Sequence, residues 1–343
     1  MNSSVCFDDV LLVPQFSDII SRKEIDLTSC LDNRYRFRLP VISSPMDTVT
    51  GPKMARTLSD LGGLGIIHRY NTIEDQVSMA EKALNSKWPE GNEVVGVAIG
   101  VSGDYLERAS ASIKAGANVI CVDIAHGHHT LMRHALNTLR NTFGNAAHIM
   151  AGNVATLDAF NDLSDWGADS IRVGIGGGSI CSTRTQTGHG MPTLQSILDC
   201  AKSDKDVTLI ADGGIRTSGD IVKALAAGAD FVMLGSLLAG TEESPGNTIF
   251  SKGGQRKVYR GMASKDAQLD WRGHAASEEG VSSTVPYKGD LKDVLDSLEK
   301  GIRSGLSYTG ANNLKELRSK SRFIKQSSAG QRESFTHIML KDM

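Results

Sequence analysis

TLIADGGIRTSGDIVKALAAGADFVMLGS, residues 208–236, decides the fold. Two short apolar runs, TLIAD and FVML, end in small or polar residues. They flank SGDIVKALAAGA, where Ile, Val, Ala and Leu recur at helical spacing and a glycine supplies the C-cap. The apolar runs lack polar alternation, which is how strands buried on both faces of a parallel sheet read. Six more such runs precede this unit: PVISSPM (40–46), GLGIIH (63–68), VVGVAIG (94–100), NVICVDIA (118–125), HIMAGNV (148–154) and SIRVGIG (170–176). Helical stretches such as DYLERASASIKAGA and TLMRHALNTLRNTF separate them. Eight strands alternating with helices predict a (β/α)8 TIM barrel, with an open doubly wound sheet as the alternative.

The 343 residues, 40% hydrophobic and 22% charged, suit a single decorated domain spanning 1–343. Residues 1–39 are expected to lead into the barrel or cover its base. Residues 241–288 are too long for a passive connector and are expected to form a mobile flap. Residues 289–306 read as a closing helix, and the chain from about 311 as a polar, basic, solvated tail. A net charge of −2 gives no field for nucleic acid or a membrane surface. The five cysteines are odd in number, dispersed and without a C-x-x-C pair, which speaks against disulfides and zinc. No run reaches the ~18 residues of a membrane span, and the first residues do not read as a signal peptide, so a cytoplasmic protein is expected.

Barrel ligands sit at the C-terminal ends of the strands. There the sequence places Ser43–Asp47, Asp123–Gly127, Gly152-Asn153, Gly174–Arg184, Asp212–Gly214 and Gly235-Ser236. Gly213-Gly214 and Gly235-Ser236 follow strands seven and eight, where bare backbone N–H groups hold phosphate in many barrels. Asp212 would repel phosphate but could accept hydrogen bonds from ribose hydroxyls, so a nucleoside monophosphate satisfies both loops. The G-x-G in 174–178 matches a dinucleotide fingerprint only weakly. It reads better as a flexible loop presenting Cys181, among Gly, Ser, Thr and Arg, as a nucleophile; a buried packing thiol is the competing reading. His126, His128 and His129 have no carboxylate at ligand spacing and read as exposed imidazoles at a helix start rather than a metal site.

The strings FDDVLLVP, SSPMDTVT, GGLGIIHR, DIAHGH, AGNVAT, VGIGGGSICSTR, IADGGIRTSGDIVKALAAGADFVMLGSLLAGTEESPG, YRGMAS and VPYKGDL occur in order from Phe7 to Phe323. Together they resemble the IMP dehydrogenase/GMP reductase family, which has a (β/α)8 barrel. The resemblance implies that Cys181 attacks purine C2, with Thr183 and Glu279 as acid/base partners. It implies that Asp212 holds the ribose, and that Gly214, Gly235 and Ser236 hold the phosphate with help from Tyr259. Met262, with Gly261 and Ala263, would contact the base through backbone groups, and Ser44 and Ser179 would complete the substrate site. Asp123, Ile124 and Ala125 would face the nicotinamide cofactor. Carbonyls of Gly176, Gly178 and Cys181 would bind a monovalent cation such as K+. A homotetramer is also implied.

Within the family, the chain resembles GMP reductase most. About 25 residues separate GIIHR from VVGVAIG, too few for the CBS modules that dehydrogenases usually insert. The stretch MASKDAQLDWRGHAASEEG (262–280) has no Arg-Tyr pair of the dehydrogenase flap and ends like the reductase A-S-E-G. The implied activity is NADPH-dependent deamination of GMP to IMP. IMP dehydrogenase with NAD, a relative acting on another purine nucleotide, and a non-catalytic nucleotide sensor are the alternatives. The chain departs from the family pattern at Gly177 (usually Pro), His189 (usually small and apolar) and Thr193 (usually Gln). AASEEG also lacks the phosphate-contacting Arg of reductases, which leaves NADP(H) against NAD(H) open.

Overall fold

The structure is a computed structural model that describes residues 3–84, 94–251 and 253–334. Eight parallel strands close into a barrel. They are β1 (Val41–Ser43), β2 (Leu64–Ile67), β3 (Val95–Ile99), β4 (Val119–Asp123), β5 (His148–Val154), β6 (Ser170–Val173), β7 (Thr208–Asp212) and β8 (Phe231–Leu234). The seam is made by β8 against β1, with Val232 opposite Val41 and Leu234 opposite Ser43.

Strand periodicity sorts the side chains into two cores. Ile42, Leu64, Ile66, Val119, Cys121, Met150, Ile210 and Met233 point into the barrel. Their neighbours Val41, Ile67, Ile120, Val122, Ile149 and Ile171 point out, into the layer shared with the helices. That layer is closed by α1 (Pro52–Asp60), α2 (Ile73–Leu84), α3 (Tyr105–Lys114), α4 (Thr130–Phe143), α5 (Leu157–Asp165) and, past a short α6 (Thr183–Thr187) that buries no residue, by α7 (Thr193–Cys200) and α8 (Ser218–Ala226). Threonines start two of them: Thr156 accepts from the N–H of Ala159 ahead of α5, and Thr217 from that of Asp220 ahead of α8.

The N-terminal segment does cover the base. A hairpin pairs Ser29–Cys30 with Arg36–Phe37. It sends Leu31 and Phe37 into the inner core, where the Phe37 and Phe231 rings meet edge-on at 5.8 Å. Beside it, the buried His148 ring bridges Asp32 at 2.9 Å and Ser170 at 2.8 Å. Burial pushes the Asp32 carboxyl up, but hydrogen bonds from His148 and Arg34 outweigh it and hold the group well below the usual carboxylate range.

After β8, the stretch 241–288 expected as a flap carries secondary structure of its own. Strands β9 (Thr248–Ser251), β10 (Gly254–Arg260) and β11 (Ser282–Pro286) form an antiparallel sheet. Helix α9 (Lys265–Arg272) lies between β10 and β11. The closing helix α10 (Leu291–Thr309) buries Leu295, Leu298, Ile302 and Leu306.

One expectation is corrected beyond that helix. The chain from 311 is not a solvated tail. Helix α11 (Leu314–Lys320) buries Leu314 and Leu317. A strand at Phe323–Lys325 pairs antiparallel with Val10–Leu12, clasping the two ends of the fold, and a last helix α12 (Ser328–Glu333) follows. Residues 335–343 of the expected tail lie outside the described residues. Among the described residues no helix is long and apolar enough to cross a membrane.

Candidate active site

A cavity of about 330 Å³ opens at the C-terminal ends of the barrel strands. Its wall includes every predicted catalytic residue and every predicted nucleotide- and cofactor-contacting residue. The loop after β6 carries Cys181, which is exposed. Cys121 and Cys200 are instead buried, and burial pushes both thiols up to about 12. Of these three, only Cys181 is placed to react with a ligand in the cavity.

The thiol sits at one end of a hydrogen-bond chain. Cys181 Sγ donates to Thr183 Oγ1 at 3.2 Å, and Thr183 Oγ1 donates to Glu279 Oε2 at 2.9 Å. The flap holds this chain together through backbone bonds. Ser182 N donates to the Glu279 carbonyl and Val281 N to the Ile180 carbonyl, both at 3.0 Å. Residues 96 apart in sequence thus become a continuous path from carboxylate to sulfur. Such a path can move a proton to or from a group bound beside the thiol.

Across the cavity lie the glycine turns. Gly213 and Gly214 both take positive φ, at +88° and +78°, which turns the backbone sharply after β7. At the second turn, Gly235 faces the Tyr259 hydroxyl, 3.0 Å from where a Cβ would stand. That hydroxyl lies 3.5 Å from Ser179 Oγ. Burial raises the Tyr259 pKa, so the group stays a donor. Behind the turn, Lys288 Nζ donates to the Ser236 carbonyl at 2.5 Å and to that of Leu237 at 3.0 Å. Burial pushes Lys288 down to about 8.

The segment Gly261–Ala263 is tied to the end of β1. Arg260 clamps Asp47 Oδ2 through Nε at 2.9 Å and Nη2 at 2.6 Å. The N–H of Asp47 reaches Met262 Sδ at 3.3 Å.

Asp212, predicted for the substrate ribose, and Asp123, predicted for the nicotinamide cofactor side, share a guanidinium. Arg172 Nη1 donates to Asp123 Oδ1 at 2.6 Å, and its Nη2 and Nε donate to Asp212 Oδ2 at 2.9 and 3.2 Å. Asn153 Nδ2 adds a bond to the same Asp212 oxygen at 2.8 Å. Sequence reasoning assigned roles to neither Arg172 nor Lys288. The signal for Arg172 was its place as the one charge in SIRVGIG.

Two of the three predicted cation carbonyls, those of Gly178 and Cys181, bracket a tight turn, in which Cys181 N donates to the Gly178 carbonyl at 3.1 Å. His126, His128 and His129 are exposed. His128 does have a carboxylate partner, Asp162 at 2.8 Å, brought close from α5. His129 caps α4 by accepting from Leu131 N at 3.1 Å. Among the described residues no group of three or more His, Cys, Asp or Glu side chains could hold a metal ion.

Residues 4–337 match the IMP dehydrogenase / GMP reductase domain. The inosine-5'-monophosphate dehydrogenase of Nitrosopumilus maritimus is 35% identical, over 97% of this chain and 98% of its own length. The GMP reductase of Leishmania major is 32% identical, over 98% of this chain and 97% of its own. These alignments run over 471 and 476 positions, more than the 343 of this chain, so both relatives carry segments that it lacks. A crystal structure of a GMP reductase variant from Trypanosoma brucei in complex with guanosine 5'-monophosphate superposes with a TM-score of 0.94. It is 30% identical, with 99% of each chain covered. With the family domain spanning nearly the whole sequence on a closed eight-stranded barrel, this chain belongs to the IMP dehydrogenase / GMP reductase family of purine-nucleotide oxidoreductases.

Proposed function

We propose that the protein is a GMP reductase, a single catalytic unit that converts GMP to IMP and ammonia. The observation that carries this reading is the hydrogen-bond chain Glu279–Thr183–Cys181. It joins the nucleophile to a carboxylate that can take the thiol proton and return it to the leaving group, on a flap stretch that has no Arg-Tyr pair to activate water.

In this reading the Gly214, Gly235 and Ser236 turns, with Ser179 and Tyr259, hold the phosphate. Asp212 accepts from the ribose hydroxyls. Backbone groups of Gly261, Met262 and Ala263, with Ser44 nearby, position the base. The Cys181 thiol passes its proton through Thr183 to Glu279, and the thiolate adds to C2. Glu279, through Thr183, protonates the 2-amino group, the C2–N bond breaks, and ammonia leaves a C2 thioimidate. A nicotinamide cofactor held along Asp123, Ile124 and Ala125 would supply the hydride that C2 takes up. The C2–S bond then breaks, giving IMP and free Cys181. Cys suits the role because its sulfur is both a good nucleophile and a good leaving group.

The cavity wall around Asp123, Ile124 and Ala125 offers an apolar surface beside a fixed carboxylate, which fits a carboxamide-bearing ring. A monovalent cation on the carbonyls of Gly176, Gly178 and Cys181 belongs to the same proposal, and replacing K+ by Li+ in the assay tests that part. A homotetramer belongs to the same proposal and is checked by sedimentation.

One observation favours IMP dehydrogenase as a second reading: relatives carrying that name are as similar to this chain as the reductases. The deciding assay follows reduced-cofactor absorbance with GMP plus NADPH or NADH, and separately with IMP plus NAD. GMP-dependent oxidation of reduced cofactor supports the reductase. IMP-dependent reduction of NAD, without the first reaction, overturns it.

A further inference from the structure

We propose that Arg172 is a positioning residue that couples the two halves of the cavity, setting how well Asp212 reads a ribose hydroxyl according to what Asp123 holds. The proposal rests on the nucleotide and dinucleotide reading above. Arg172 leaves β6 toward the barrel interior, and only 5% of the residue is exposed. Burial works against its charge, but the carboxylates of Asp123 and Asp212 outweigh it and hold the guanidinium protonated. One cation therefore serves two carboxylates, on β4 and β7, each with its own share of the planar fork.

The geometry at Asp212 is one-sided. Arg172 Nε, Arg172 Nη2 and Asn153 Nδ2 all converge on Oδ2. None of these donors reaches Oδ1, the oxygen left to accept from a ligand. At the other end, Nη1 is drawn to Asp123 Oδ1, and Arg69 Nε approaches Asp123 Oδ2 only to 3.9 Å. Asp123 thus restrains Arg172 from swinging wholly onto Asp212. Weakening the hold at Asp123 lets the guanidinium grip both Asp212 oxygens, which competes with ribose. In the other direction, ribose hydroxyls that draw on Asp212 release guanidinium charge to Asp123 and fix the Asp123–Ala125 wall. Coupling of this kind is reciprocal in binding free energy.

The test uses binding rather than turnover. Titration calorimetry with GMP, IMP and their 2′-deoxy forms is run on the parent, Asp123→Asn and Arg172→Lys, with thermal unfolding to confirm that each is folded. The parent is expected to prefer ribo- over 2′-deoxynucleotide by about tenfold or more, the strength of a hydrogen bond to a charged acceptor. In Asp123→Asn that preference falls toward unity, although Asp123 belongs to the other end of the cavity. Arg172→Lys, a point charge that cannot span both carboxylates, gives the same loss; should one variant not fold, the other decides. A merely structural role would weaken both sugars equally and leave their ratio unchanged. An unchanged ratio in a folded variant overturns the coupling while leaving the nucleotide reading intact. If the parent binds no purine monophosphate, that reading falls and the coupling with it.

Discussion

A Cβ on Gly177 would stand 2.3 Å from the Thr193 hydroxyl oxygen, so the thiol-bearing loop lies against α7 with no room for a side chain. Both positions differ from the family pattern, and they touch each other. Thr193 Oγ1 is buried with no hydrogen-bond partner. Gly177→Ala is expected to lower stability by about 1–3 kcal/mol through overpacking and to displace the Cys181 loop. Adding Thr193→Ala removes the obstructing oxygen and should restore most of the stability and turnover. Thermal unfolding and kcat for the two variants check this; a double variant no better than the single one refutes it.

The thiol and the carboxylate at the two ends of the proton path should fail differently. Cys181→Ala removes the covalent step, so turnover is abolished while nucleotide Kd stays within about tenfold, because the phosphate and ribose contacts remain. Glu279→Gln keeps the thiol and should cut GMP deamination by roughly 10²–10⁴. Stopped-flow and steady-state assays distinguish the two. Full activity in Glu279→Gln with loss in Glu278→Gln would move the acid by one residue.

The second glycine turn tests the phosphate site. Gly235→Ala would place a Cβ 3.0 Å from Tyr259 Oη and 3.6 Å from Ser44 Oγ, pushing the phenol away. GMP binding is expected to weaken by about 1.5–3 kcal/mol through lost bonds to a charged group. Guanosine, which has no phosphate, should bind both proteins alike. Normal GMP affinity in the variant shows that the phosphate lies elsewhere.

Lys288 gives a pH signature. Burial outweighs its two carbonyl acceptors and lowers it from 10.5 to about 8. Between those values the unfolded chain holds a proton that the folded chain has shed, so this group adds stability as pH rises through that window. Below about 8 both states are protonated and the burial penalty is constant. The melting temperature of the parent relative to Lys288→Met is therefore expected to climb from pH 8 to 10. A flat difference over that range contradicts the assignment.

Much of this molecule is readable from the chain. All eight barrel strands fall inside the apolar runs, because a strand buried on both faces leaves an unbroken Val/Ile signature. Strand-end residues then converge on one cavity as barrel geometry requires. Two kinds of feature escaped. Leu314 and Leu317 sit one helical turn apart among Lys, Arg and Ser, and a single apolar pair is too weak a pattern to separate packed helix from solvated tail. Arg172 and Lys288 act through partners on other strands or loops, and His128 finds Asp162 across 34 residues; pairings of that kind leave no local trace.

The seam between Val41 and Val232, and the clasp between Val10 and Lys325, have a consequence for the chain's birth. As it leaves the ribosome, β1 has β2 on one side and an open edge on the other until Phe231–Leu234 has been synthesised. The Val10–Leu12 segment waits longer still, for Phe323–Lys325. Barrel closure thus waits for the eighth strand, and the nascent sheet carries two unpaired edges until then. A chain that stalls before residue 231 exposes a template for pairing with its neighbours, whereas one that stops between 234 and 323 has a closed barrel with Val10–Leu12 unclasped.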